Sequence, residues 1–185
     1  SAYLTLFTTS FDDEGMLSID QKVSVNFGTG VYSVPQDIAL GDLNGDGLLD
    51  VVASETEHDN ICVFINTSQQ QSFSFDTPVI IPVADRESSV QLQDIDGDGR
   101  LDVVTTRGTY DQVGVYLNTS DGKSVSFGSK NVMKNVLAIG RPAFADLNAD
   151  GMIDLVTTSY TSSSASREVL VYSNHSAEGD IQFSL

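Results

Sequence analysis

Nine residues recur three times in this sequence, and each copy is rich in groups that bind hard cations. They are Asp42-Leu-Asn44-Gly-Asp46-Gly-Leu48-Leu-Asp50, Asp94-Ile-Asp96-Gly-Asp98-Gly-Arg100-Leu-Asp102 and Asp146-Leu-Asn148-Ala-Asp150-Gly-Met152-Ile-Asp154. The first aspartates stand 52 residues apart in both intervals, so the loops belong to one repeated unit. Oxygens at positions 1, 3 and 5 of a tight loop converge on one point, and glycine at position 6 allows the sharp turn. Position 7 offers its backbone carbonyl, which fits the unlike side chains of Leu48, Arg100 and Met152 there. Position 9 is aspartate each time. Such a set of oxygens suits calcium better than zinc, which prefers nitrogen and sulfur, or magnesium, which demands a tighter octahedron. The pattern predicts three calcium sites, one per loop. The alternative is a hairpin turn that binds nothing, since Asp, Asn and Gly are also turn residues. Three copies with their acids in phase weigh against it, because carboxylates packed so closely repel unless a cation lies between them.

An EF-hand would share positions 1, 3, 5 and 6 but needs glutamate at position 12, where this chain has Ala53, Thr105 and Thr157. The segment after each loop is short, apolar and β-branched: Leu49-Asp-Val-Val, Leu101-Asp-Val-Val and Ile153-Asp-Leu-Val. That reads as strand, so each loop joins strand to strand. The strand before it keeps an apolar residue at Leu40, Leu92 and Phe144, as expected of a half-buried strand. A third strand is predicted at Ile61-Cys-Val-Phe64, Val113-Gly-Val-Tyr116 and Val169-Leu-Val-Tyr172, and a fourth is centred near Phe75, Phe127 and Phe183. Residues 1–33 supply only the last two strands, Tyr3-Leu-Thr-Leu-Phe7 and the segment around Phe27. The predicted organisation is all-β: a half-unit over 1–33, then units over 34–85, 86–137 and 138–185, each a four-stranded antiparallel sheet, with no helix.

Variation concentrates in the connectors between second and third strands, Glu55–Asn60, Arg107–Gln112 and the serine-rich Tyr160–Arg167. Such loops are expected together on one face, where binding specificity usually sits. The formal charge is −17, from 26 acidic and 9 basic residues, and ten of the acids lie in the three loops. That balance disfavours nucleic acid or an anionic membrane as partner, and no apolar run approaches the length of a membrane span. The single cysteine, Cys62, sits in an apolar run and reads as a small buried hydrophobe. Asn66-Thr-Ser, Asn118-Thr-Ser and Asn174-His-Ser fit the N-glycosylation pattern, but they recur at one turn position where asparagine also serves the backbone. The two histidines, His58 and His175, stand in loops with no nucleophile pattern, so no catalytic role is expected.

The repeat resembles the FG-GAP/VCBS family, the sheet unit of integrin α-subunit heads and of many secreted bacterial proteins. Phe27-Gly28 and Phe127-Gly128 carry its name-giving dipeptide, and Gly140-Arg-Pro-Ala143 a degraded form of the second half. The resemblance implies β-propeller blades: three complete blades and a half-blade, a segment of a larger propeller, with further blades of the same polypeptide or self-association covering its ends. It also implies calcium held by Asp42, Asn44, Asp46, the Leu48 carbonyl and Asp50, and by the equivalent residues of the other loops. An extracellular or cell-surface adhesion scaffold with an unidentified protein or glycan ligand is the expected function. A carbohydrate-binding propeller, with Tyr110 or Tyr160 as stacking platform, and an accessory propeller of a secreted polysaccharide-active enzyme are the alternatives.

Overall fold

The computed structural model describes residues 3–26, 34–69, 72–83, 87–107, 112–122, 124–133, 136, 141–161 and 166–185. Four antiparallel sheets follow one another along the chain, with no helix among the described residues. The first is a hairpin of β1 (Tyr3–Phe11) and β2 (Leu17–Asn26). The second holds β3 (Pro35–Gly41), β4 (Asp50–Glu55), β5 (Asn60–Phe64) and β6 (Val79–Pro82). The third holds β7 (Ser89–Gln93), β8 (Asp102–Arg107), β9 (Gln112–Tyr116) and β10 (Asn131–Val132). The last holds β11 (Ala143–Ala145), β12 (Asp154–Thr161), β13 (Ser166–Asn174) and β14 (Phe183–Ser184). In the three larger sheets spatial order equals chain order, the meander of a propeller blade.

These strands lack clean alternation because both faces of the middle sheets are covered. Every residue of β4 is buried. Val52, Ile61 and Val63 pack from one face against Val90, Val103 and Tyr116 of the following sheet. One repeat later, Val104, Val113 and Val115 pack against Leu155 and Tyr172. On the opposite face of the first four-stranded sheet, Val51, Ala53, Cys62 and Phe64 meet Leu4 and Val25 of the hairpin. Cys62 is fully buried, and burial, with the Glu55 charge adding to it, pushes its thiol up to about 12. The first strands also meet at their starts. Val90 N donates to Asp37 Oδ2 at 3.2 Å, Arg141 Nη1 reaches Asp37 Oδ1 at 3.2 Å, and Gln91 Nε2 donates to the Pro142 carbonyl at 2.8 Å. Inner strands that converge in this way are what sheets arranged as blades require.

Several expectations shift. Leu40 is 58% exposed rather than buried, because the hairpin covers β4 and β5 but leaves β3 open. Phe75 and Phe127 do not centre a fourth strand: each makes a single bridge, to Asn66 and Asn118, several residues before β6 and β10 begin. Pro78, which has no N–H to give, stands in the first of these gaps. Tyr160 and Arg167 pair with each other across β12 and β13, so the strands extend into what the sequence reads as connector. Tyr110, Phe27-Gly28, Gly140 and the serines at 162–164 lie outside the described residues.

Equivalent valines test the covering of one sheet by the next. Val113 is fully buried, whereas Val169 is 69% exposed. Val113→Ala is expected to cost about 2 kcal/mol in urea denaturation, and Val169→Ala less than about 0.5 kcal/mol.

Candidate metal centre

Each nine-residue loop joins the first and second strands of its sheet, and its aspartates first organise their own backbone. Asp42 Oδ1 accepts from Gly45 N at 2.7 Å and Asp46 N at 3.2 Å, and its Oδ2 from Gly47 N at 2.8 Å. Asp94 repeats the pattern on Gly97, Asp98 and Gly99, and Asp146 on Asp150 and Gly151. At position 5, Asp46, Asp98 and Asp150 each accept the N–H of position 7 at 2.8 Å. Aspartate is short enough to reach these donors, which is the Asx-turn chemistry of tight loops. Glycine at position 6 adopts φ of 86°, 87° and 91°, as the turn requires. Position 4 is left-handed as well, at φ 78° and 75° in Gly45 and Gly97, and Ala149 is held there at φ 63°. Spacing in the sequence assigns no such role to position 4.

Position 9 ties the loop to the rest of its sheet. Asp102 is fully buried, with Oδ2 accepting Ile95 N at 2.9 Å and Oδ1 accepting Asn118 N at 2.9 Å. Asp50 and Asp154 do the same with Leu43 and Asn66, and with Leu147 and Asn174. Burial raises Asp102 to about 6; the two N–H donors oppose this and the Asp96 and Asp98 charges add to it. Burial likewise raises Asp50. The exposed Asp150 is lowered, first by the Met152 N–H and then by the Asn148 side chain.

The second loop brings its acids together most closely: carboxylate oxygens of Asp94, Asp96 and Asp102 lie within 4.8 Å of one another. Asp96 is only 6% exposed, and its Oδ1 is buried without a hydrogen-bond partner. A buried oxygen with no donor beside two further carboxylates lacks the counter-charge that a hard cation supplies, so these residues fit a metal ion. In the first and third loops the position-3 asparagines hydrogen-bond to the position-5 aspartates, Asn44 to Asp46 at 3.0 Å and Asn148 to Asp150 at 2.9 Å.

At position 7 the side chains make contacts of their own. The Arg100 guanidinium pairs with Asp98, and its Nε donates to the Asn118 carbonyl at 2.8 Å. Met152 lies beside Gly97 of the preceding loop. The asparagines of the glycosylation-like triplets are also part of the centre. Asn118 and Asn174, each 1% exposed, use both carboxamide hydrogens on backbone carbonyls, and their Oδ1 atoms accept Ser120 N and Ser176 N. A sugar on either Nδ2 would break bonds that the folded chain makes, so at these two positions the backbone role wins.

Fold and loops together define an acidic-loop β-repeat protein. The family model of the FG-GAP-like repeat matches residues 42–105 and 94–157, well over half of the chain, and the protein belongs to that family. No curated protein matches it in sequence.

Two consequences are measurable. Ala149→Gly should relieve the left-handed alanine and raise stability by about 1 kcal/mol in chemical denaturation. Asp102 titrates higher folded than unfolded, so its contribution favours the folded state at low pH and is lost as pH rises from about 4 to about 6. Glu55 works the other way. Burial raises it, but the N–H donors of Val34, Glu57 and His58 and the His58 side chain outweigh that and leave it lowered, so its contribution is lost only in stronger acid. Chelator-treated protein is therefore expected to melt higher at pH 5 than at pH 7.

Proposed function

We propose that the chain is a calcium-stabilised recognition scaffold of the cell surface or extracellular space, with one structural ion in each of the three loops. The observation that carries this reading is the partnerless, buried Asp96 Oδ1 beside Asp94 and Asp102. Bound calcium would supply the positive charge that these carboxylates lack and cross-link positions 1, 3, 5, 7 and 9 of each loop. The ligands in the second site would be Asp94, Asp96, Asp98, the Arg100 carbonyl and Asp102. The first site would use Asp42, Asn44, Asp46, the Leu48 carbonyl and Asp50. Asp146, Asn148, Asp150, the Met152 carbonyl and Asp154 would form the third.

The ion's role is structural because the residues that hold it also hold the strands. Asp50, Asp102 and Asp154 each link a loop to the end of the third strand. Calcium modules outside cells work at roughly 10⁻⁴ to 10⁻³ M, which favours an extracellular location. The scaffold then presents its surface loops to a protein or glycan ligand, and the acidic surface turns nucleic acid away.

Thermal melting with and without chelator tests the reading. With a dissociation constant near 0.1 mM, three sites in 1 mM calcium contribute about 4 kcal/mol, which is on the order of 10 °C for a domain of this size. Magnesium should give much less. A midpoint indifferent to calcium, or a titration with no bound ion, overturns it.

A further inference from the structure

The three loops match in sequence but not in surroundings. Leu43 and Ile95, at position 2 of the first and second loops, are 2% and 0% exposed, whereas Leu147 is 54% exposed. The sheet that follows each of the first two loops closes over it. Asn118 Nδ2 donates to the Leu43 carbonyl at 2.9 Å, and Asn174 Nδ2 to the Ile95 carbonyl at 2.9 Å, so each asparagine reaches back a whole repeat. Gly179 N adds a bond to Asp96 Oδ2 at 2.9 Å. The remaining carboxamide hydrogens go to Leu101 and Ile153, inside each asparagine's own repeat. Each therefore bridges two successive loops.

We propose that Asn118 and Asn174 are positioning residues that hold the first and second loops in their cation-binding shape from the neighbouring sheet, so that the calcium affinity of each of these loops depends on a side chain one repeat away. The inference rests on the calcium reading and extends it to what holds each loop ready for the ion. A loop already held gives up little freedom when the ion arrives, whereas a loop that must be ordered by the ion binds it more weakly. The first two loops are held twice, by their own position-9 aspartate and by the next repeat.

Nitrogen-15 correlation spectra of the 185-residue chain during a calcium titration test this. The amides of Gly47, Gly99 and Gly151 report the three loops separately. Losing one hydrogen bond that holds a loop should raise its calcium midpoint about tenfold. Asn118→Leu, near in size and uncharged, should raise the Gly47 midpoint about tenfold and leave Gly151 unmoved. Asn174→Leu should raise the Gly99 midpoint by a similar factor and leave Gly47, whose loop Asn174 does not touch, unmoved. A purely structural asparagine would lower the melting point but move all three midpoints together, and that result overturns the proposal. Should a leucine variant fail to fold, the smaller and still polar Asn118→Ser and Asn174→Ser decide: unmoved Gly47 and Gly99 midpoints overturn the inference and leave the calcium reading standing. If no glycine responds to calcium, the calcium reading fails and takes the inference with it.

Discussion

The interaction on which the rest of the structure depends is the buried carboxylate at position 9 of each loop. Asp50, Asp102 and Asp154 are almost fully enclosed, and each divides its two oxygens between two backbone donors. One donor lies at the start of the loop and the other at the end of the third strand. A single side chain thus fixes where the first strand stops and where the third begins its turn. Burying an ion costs free energy unless it is well bonded, and two N–H groups offset much of that cost. The residual charge makes the same residue useful to a cation.

That brace also governs the packing. Each held loop sets the second strand against the first and third in the same register, so the three four-stranded sheets present equivalent faces. Val52, Ile61 and Val63 of one sheet and Val104, Val113 and Val115 of the next occupy the same places, and each set is closed over by the sheet that comes after it. The interface between sheets is apolar through its middle and hydrogen-bonded at its rims, with Asp37, Val90 and Arg141 at one end and the asparagine bridges at the loops. Repetition of one contact set explains how a chain with 15 glycines and no tryptophan builds its core as a series of like clusters, one between each pair of neighbouring sheets.

The loops show the limits of repetition. Arg100 brings a cation to the very carboxylate, Asp98, that a metal ion would share, and neither Leu48 nor Met152 can do so. Ala149 adopts a backbone angle that Gly45 and Gly97 adopt without a side chain in the way. The three loops are therefore related but inequivalent, with the most crowded acids in the second and the most exposed in the third.

Read by itself, the sequence determined the repeat, the strand order and the loop residues, because side chains that meet a nearby backbone do so at fixed spacing. Position 1 closing on positions 4 to 6 is local geometry, and an Asp-x-Asn/Asp-x-Asp-Gly pattern states it directly. It did not determine the fate of groups that meet across repeats. Asn118 and Asn174 fit a glycosylation signal as well as a turn, and only the folded chain shows both carboxamide hydrogens taken by carbonyls, one of them 75 or 79 residues away. Leu40 follows the same alternation as Leu92, yet its exposure depends on which neighbouring strand covers it. Local spacing is written in the chain, whereas burial is a property of the neighbour, and the neighbour is chosen by the tertiary structure.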